Sequence, residues 1–277
     1  MKMAERLTLY YYPGSYFSQK ALLALFEKNL QFNHHIIKLM EGGHIEPWYI
    51  KLNKNGKVPL LRDDETLVPD SENIISYLDQ QFPAGSKLVP GNKPPEYDRL
   101  HQLLTDRISI QTLTYGTFIN PDLSFSGLPP ALIQPSDVII GNFTRIVEKM
   151  QRLAEENPHL REEYLKKAEE NKMFRDNAAN KDKVQETLEM IHEVLDEVEK
   201  QLEISMKDNP GNWLFNKDYT SPDITLTVFL NRLKFLGQTK RYISDNKRPH
   251  VNRYWDRAQQ RKSFLNFMEL YTNFSKQ

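Results

Sequence analysis

Every segment of this chain that reads as a strand lies before residue 70, and after Glu96 the apolar residues recur only at helical spacing. That change of period confines any sheet to the first third of the molecule and leaves the rest to helix-on-helix packing. With 277 residues the chain is long enough for two packed units rather than one core.

In the first third, Leu7 to Tyr12 reads as a strand that ends at the turn Pro13-Gly14. A helix follows from Ser18, with Ala21, Leu22, Leu25 and Phe26 on one face and Ser15 or Ser18 as its N-cap. A second strand is expected over Phe32 to Leu39, and a short helix started by Pro47 runs to Leu52. Val58-Pro59-Leu60-Leu61 reads as a strand opening with proline, Asp63-Asp64-Glu65 as a hairpin tip and Thr66-Leu67-Val68 as the partner strand. Asp70-Ser71 then starts a helix that buries Ile74, Ile75 and Leu78. The order β-α-β-α-β-β-α predicts an α+β, thioredoxin-like domain over residues 1–82, with the proline-rich stretch 83–95 as linker and an all-α domain over 96–277.

Within the second domain, helical spacing runs through Tyr97 to Tyr115, is interrupted over Asn120 to Ser136, and resumes from Val138 to Glu156. Val184, Leu188, Ile191, Leu195, Val198 and Leu202 mark the buried seam of a long helix. Thr220-Ser221-Pro222-Asp223 has the arrangement of a capping box before an apolar run.

Composition removes several classes of function. Lys plus Arg and Asp plus Glu number 37 each, so no overall field draws the chain to nucleic acid. Charge is segregated all the same. Glu155 to Glu203 holds 15 acids and 8 bases, whereas Asn231 to Lys262 holds 10 bases and 2 acids. Solvated faces that complement each other within the fold account for this, the alternative being a basic patch for an anionic membrane or acidic partner. There is no cysteine, hence no disulfide, thiolate metal site or cysteine nucleophile, and any thiol chemistry needs a thiol from the substrate. The chain lacks CxxC and HExxH, and adjacent His34 and His35 point to opposite faces of a strand, so no metal is expected. The opening residues have no apolar signal core, and no window approaches the length of a membrane span.

Three separated signals can carry chemistry. The hydroxyl-rich turn from Tyr12 to Ser18 precedes a helix N-terminus, where free N–H groups and the helix dipole favour an anion such as a bound thiolate; capping alone is the plainer reading. Lys57-Val58-Pro59 opens a strand, and a cis Val58-Pro59 bond would turn the Val58 backbone toward an extended peptide ligand. Asp70-Ser71 at a helix start suits an amino-acid end, the hydroxyl and free N–H groups for a carboxylate and Asp70 for an ammonium.

In this order and at these separations, the residues resemble the glutathione site of serine-class glutathione transferases. The resemblance implies Ser15 as the thiol-activating position, with Tyr12 or Tyr10 as substitute donors. It further implies Val58 as the partner of the cysteinyl backbone, Pro59 as the cis-proline, Asp70 and Ser71 as the γ-glutamyl clamp and Lys57 as a contact to the glycyl carboxylate. A narrower match lies in Glu46-Pro47-Trp48, Leu153 to Pro158, Arg232 to Gly237, Lys247-Arg248-Pro249 and Arg261-Lys262, together with a long helical insertion near 157–182. These segments resemble the ganglioside-induced differentiation-associated protein 1 family. That family implies a protein of the mitochondrial outer membrane, facing the cytosol through a C-terminal anchor absent from this sequence, and a cytoplasmic one without it. It also implies an effect on mitochondrial fission and network shape, with weak or no transferase activity. The alternative is an active glutathione S-transferase acting on hydrophobic electrophiles. Glutathione or a hydrophobic small molecule, protein partners reached through the insertion, and a homodimer are the associations the resemblance allows.

Overall fold

The computed structural model describes residues 6–128, 133–243 and 247–274. Its elements begin with β1 (Leu7–Tyr11), α1 (Tyr16–Glu27), β2 (Asn33–Ile36), α2 (Pro47–Leu52), β3 (Leu60–Asp63), β4 (Thr66–Pro69) and α3 (Ser71–Gln81). The sheet order is β2-β1-β3-β4, with β2 parallel to β1 and the other pairs antiparallel, which is the mixed sheet expected of a thioredoxin-like domain. Several boundaries differ from the sequence reading; β3, expected over 58–61, runs from Leu60 to Asp63, so that Asp63 pairs within the sheet instead of forming the hairpin tip. β2 stops at Ile36, where its pairing with β1 runs out at Tyr11, and Leu39–Glu41 turns into a 3-10 helix instead of extending the strand. The first helix starts at Tyr16, two residues early, because Ser15 and not Ser18 is its N-cap.

The described helices after the linker are α4 (Glu96–Asp106), α5 (Ile110–Ile119), α6 (Ser136–Glu156), α7 (Arg161–Ala179), α8 (Lys181–Asp208), α9 (Ser221–Phe235), α10 (Thr239–Tyr242), α11 (Pro249–Ala258) and α12 (Lys262–Phe274). Helical spacing alone does not show the break between α4 and α5, which Ser109 creates by accepting a hydrogen bond from Thr112 N–H. Residues 129–132 of the loop before α6, the opening residues 1–5 and Asp245 of the basic stretch lie outside the described residues. No helix among the described residues is long and apolar enough to cross a membrane.

α9 is buried along nearly its whole length and packs against α1 and α4, so it joins the two domains. The α8 seam from Val184 to Leu202 lies within the same core. The charge segregation also finds its partner inside the fold: Arg241 pairs with Glu189 at 2.7 Å and Arg248 with Asp196 at 2.6 Å. The acids of α8 thus face the bases that follow α9.

The hairpin α6–α7, which contains most of the insertion, seats on the loops beside the sheet. Val147, Met150, Leu153, Tyr164 and Ala168 form a separate buried cluster with Ile45 and Ile50. Polar contacts tie the same surface: the Tyr164 hydroxyl donates to the Ile45 carbonyl at 2.9 Å, and Lys149 pairs with Glu46 at 2.6 Å.

Glu72, in the first turn of α3, is bonded to Lys20 of α1 and lies 3.0 Å from His101 of α4. Burial pushes its carboxyl up, but the close approach of His101 and the charge of Lys20 prevail and hold it at about 2, against an ordinary value of 4.5. A carboxyl lowered by folding stabilises the fold fully above its unfolded value, and that contribution is lost as pH falls from about 4.5 toward about 2. Over that window Glu72→Gln is expected to flatten the fall of thermal midpoint with pH. Parallel curves for parent and variant would show that Glu72 carries none of the acid sensitivity.

Candidate functional site

The turn after β1 is built to be rigid. Ser15 accepts a hydrogen bond from Ser18 N–H at 3.3 Å, Ser18 in turn accepts from Tyr12 N–H at 3.3 Å, and Gln19 donates to the Pro13 carbonyl at 2.9 Å. Ser15 therefore caps α1 with its oxygen lone pairs and keeps its own proton for another acceptor. Beyond the sheet, the Val58-Pro59 bond is cis, and the Lys57 carbonyl accepts from the Tyr49 hydroxyl at 2.8 Å and from Asn53 at 2.7 Å. Asp70 caps α3 by accepting from Glu72 N–H at 2.9 Å, with a positive φ of 76° that a non-glycine residue rarely adopts. Ser71, the first residue of α3, is buried.

These stretches meet. Ser15, Tyr12, Lys57, Val58, Pro59, Asp70 and Ser71 all line one cleft of about 500 Å³ between the sheet domain and the helices. Tyr10 does not line it; its ring packs at 4.7 Å from His35 and 6.2 Å from Tyr49 in a separate cluster. Tyr12 is held edge-on against Phe274, with ring centroids 5.6 Å apart, and burial followed by the neighbouring Tyr271 and Tyr115 raises its hydroxyl pKa, so it stays protonated as a donor. The Lys57 ammonium, named above for a ligand carboxylate, pairs with Glu170 of α7 at 3.2 Å.

The opposite wall comes from residues that sequence reasoning missed. Ile110, Tyr115, Ile139, Phe143, Ile146 and Phe174 make it largely apolar. Lys167 of α7 reaches across the cleft and donates to the Asn55 carbonyl at 2.9 Å. Burial, then the charge of Lys57, lowers its ammonium to about 8, with Glu170 opposing. His44 stands close by, its Nδ1 buried without a hydrogen-bond partner, and burial followed by Lys167 and Lys149 drives it down to about 3, so it is neutral at ordinary pH. Gly56 lets Lys167 come this near. With φ at +49°, an added Cβ would meet the His44 carbonyl and the Lys167 side chain, both at 2.9 Å. A signal for Lys167 was available: Tyr164, Lys167, Ala168 and Asn171 share one helix face, with a lysine at a core-like position. Arg232 of α9 also lines the cleft and donates to the Gly14 carbonyl at 2.8 Å, and its signal was a charge next to Leu233 at the end of an apolar run. No group of three or more metal-ligating side chains is present among the described residues.

Similarity to known proteins agrees with this geometry. Residues 9–96 match the family model for the glutathione S-transferase N-terminal domain, and residues 160–269 match that for the C-terminal domain. Ganglioside-induced differentiation-associated protein 1-like 1 of Mus musculus is 30% identical over 94% of this chain and 73% of its own length. The chain belongs to the ganglioside-induced differentiation-associated protein 1 family. It is thereby a glutathione-transferase-like protein, and more distant members of that superfamily align over most of its length. Glutathione S-transferase TCHQD of Arabidopsis thaliana is 25% identical over 96% of this chain and 91% of that one. Among solved structures, beta-etherase LigF from Sphingobium shares the fold with a TM-score of 0.65 at 20% identity, covering 95% of this chain and 99% of the other. Transferase URE2P6 from Phanerochaete chrysosporium, solved with oxidized glutathione, does so with a TM-score of 0.56 at 18% identity over 97% of each chain.

Proposed function

We propose that the cleft binds glutathione and that the chain is a transferase-like relative of the mitochondrial outer-membrane factors of fission and network shape, with weak or no transferase activity of its own. The observation that carries glutathione binding is the convergence of three distant stretches, at Ser15, at Val58-Pro59 and at Asp70-Ser71, on one cleft. In this reading the Val58 backbone pairs with the cysteinyl unit, Ser71 and the free N–H groups of α3 hold the γ-glutamyl carboxylate, and Asp70 accepts from its ammonium. The glycyl carboxylate must compete with Glu170 for Lys57, which favours modest affinity. The weak-activity reading rests on the family and not on any one contact.

Glutathione titrated into the protein while thermal unfolding is followed should raise the midpoint, because a ligand that binds only the native state stabilises it by mass action. Ser71→Ala should weaken binding roughly tenfold, which is the loss of about 1.4 kcal/mol expected for a hydrogen bond to a charged group. An unchanged midpoint at millimolar glutathione would sink the proposal. The mitochondrial role is tested separately, by fractionating cells that express the complete protein and measuring network length after its removal; a purely cytosolic protein without effect on the network counts against it.

A second reading, an active transferase, is favoured by the free proton of Ser15. Here Ser15 or Tyr12 donates to the glutathione sulfur and stabilises the thiolate. The sulfur lone pair forms the new carbon–sulfur bond, a halide leaves with its bonding pair and the thiol proton passes to solvent. Turnover of an aryl halide, reduced in Ser15→Ala or in Tyr12→Phe, supports this reading. No turnover despite measurable glutathione binding removes it.

A further inference from the structure

Lys167 occupies a core position without a carboxylate of its own. It is 6% exposed, and among the described residues its one hydrogen bond goes to the Asn55 carbonyl at 2.9 Å. The acid that acts on it, Glu170, lies one turn further along α7 and is paired instead with Lys57 at 3.2 Å. The other charges around it are cations: Lys57 acts on Lys167 itself, and Lys149 of α6 acts with Lys167 on His44. Burial first, then Lys57, holds the Lys167 ammonium at about 8 against an ordinary 10.5. At neutral pH roughly a tenth of it is then free amine, about three hundred times the share of an ordinary lysine.

The surroundings give that amine access to a small molecule. Lys167 and His44 both line the cleft, and the glycine at position 56 leaves the room that the lysine stem fills. The His44 Nδ1 is buried without a hydrogen-bond partner and its ring is neutral, so it adds no charge beside the amine. Along α7, Lys167, Asn171 and Phe174 follow at steps of four and three, and all three line the cleft, which puts an aromatic ring on the helix face that carries the amine. A lysine that only tied α7 to the Asn55 loop would be strengthened by a carboxylate. Here the acid one turn away is engaged by Lys57 instead.

We propose that Lys167 is a nucleophile that forms a reversible Schiff base with aldehydes entering the cleft, the body of the aldehyde lying along Phe174. The lone pair of the free amine adds to the carbonyl carbon, and the carbonyl π pair moves to oxygen. One N–H proton passes by way of solvent to that oxygen, which leaves a carbinolamine. The second N–H proton then departs with the hydroxyl as one water, and the nitrogen pair closes the carbon–nitrogen double bond. No oxidant or reductant is consumed, and hydrolysis returns both partners. With no cysteine in the sequence, thiol chemistry has to come from outside, whereas Lys167 gives the protein a covalent nucleophile of its own. The proposal depends on the cleft admitting a small molecule and not on glutathione occupying it.

The test treats the protein at neutral pH with 4-nitrobenzaldehyde and sodium cyanoborohydride, which reduces the imine and fixes the label. Peptide mapping by mass spectrometry then reads the rate at each lysine. Lys167 should be labelled roughly tenfold or more faster than Lys54, which is exposed, because far more of it is free amine. Its rate should also saturate as the aldehyde fills the cleft, while the rate at Lys54 rises linearly. Glu170→Gln removes the acid that favours the ammonium and should speed labelling of Lys167 by roughly threefold. Lys57→Met removes a repelling cation, releases Glu170 and should slow it by a similar factor. Equal rates at Lys167 and Lys54, a Lys167 rate that stays linear, or a rate that the two variants do not move in these directions overturns the proposal. The parent protein alone supplies the first two readings, so they decide if a variant does not fold. No glutathione is present, so failure of glutathione binding would leave this result standing.

Discussion

Asp223→Ala is expected to lower the stability of the protein by about 3 kcal/mol or more, since each buried donor left without an acceptor costs about 1–3 kcal/mol. The Asp223 carboxylate is fully buried and accepts from Thr220 N–H at 2.9 Å, from the Thr220 hydroxyl at 3.0 Å and from Leu214 N–H at 2.9 Å. Burial pushes the carboxyl up to about 6, with the three donors pulling the other way, so the site holds its charge only because all three are in place. Removing the carboxylate orphans every one of them at the start of α9, the helix that joins the domains. For a chain of this size the loss corresponds to a fall in thermal midpoint of roughly 10 °C. Asp223→Asn, which keeps one acceptor oxygen, should fall between parent and alanine variant. A midpoint within 2 °C of the parent, on a scale where about 1 kcal/mol moves it by 2–4 °C, would mean that the box does not hold the helix.

The second large effect belongs to Glu27, the last residue of α1. Arg261 donates to it through two nitrogens, at 2.8 and 2.6 Å, and the Ser263 hydroxyl donates to the same carboxylate. The guanidinium is stacked 4.1 Å from the ring centroid of Tyr219 and 4.8 Å from that of Trp213. Glu27→Ala leaves this cation partly buried and unpaired, and a broken buried pair costs about 3–5 kcal/mol. Glu27→Leu combined with Arg261→Met should recover much of the loss, because replacing both partners by apolar side chains removes the stranded charge. Denaturant midpoints of the two single variants and the double variant give the coupling directly. Additive single losses, with no recovery in the double variant, would show that the pair does not act as a unit.

How much of this was legible beforehand follows from the range of the interactions involved. The sheet, the capping box and the three glutathione-like signals are local: prolines, glycines and hydroxyls punctuate them, and the resemblance to a glutathione site singles out Ser15, Pro59 and Ser71 among them. β2 was overextended because Ile37 and Leu39 continue the alternation of apolar residues after β1 has run out of partners. The apolar wall of the cleft escapes the sequence for a different reason, and Lys167 and Arg232, though each marked as a charge at a core-like position, could not be assigned to the cleft. They are brought to the site by helix packing across roughly 100 to more than 200 residues of sequence, and no local period records which face of α5, α7 or α9 turns toward Ser15.

The hairpin α6–α7 gives the cleft an unusual dependence on the protein's outer surface. Its inner side brings Lys167 to the cleft, where it donates to the Asn55 carbonyl, and Glu170 to Lys57, while its outer side carries solvated acids and bases. A macromolecule that clasps the outside and shifts the hairpin changes the fit of anything held within, and occupancy within must change the grip outside by the same factor.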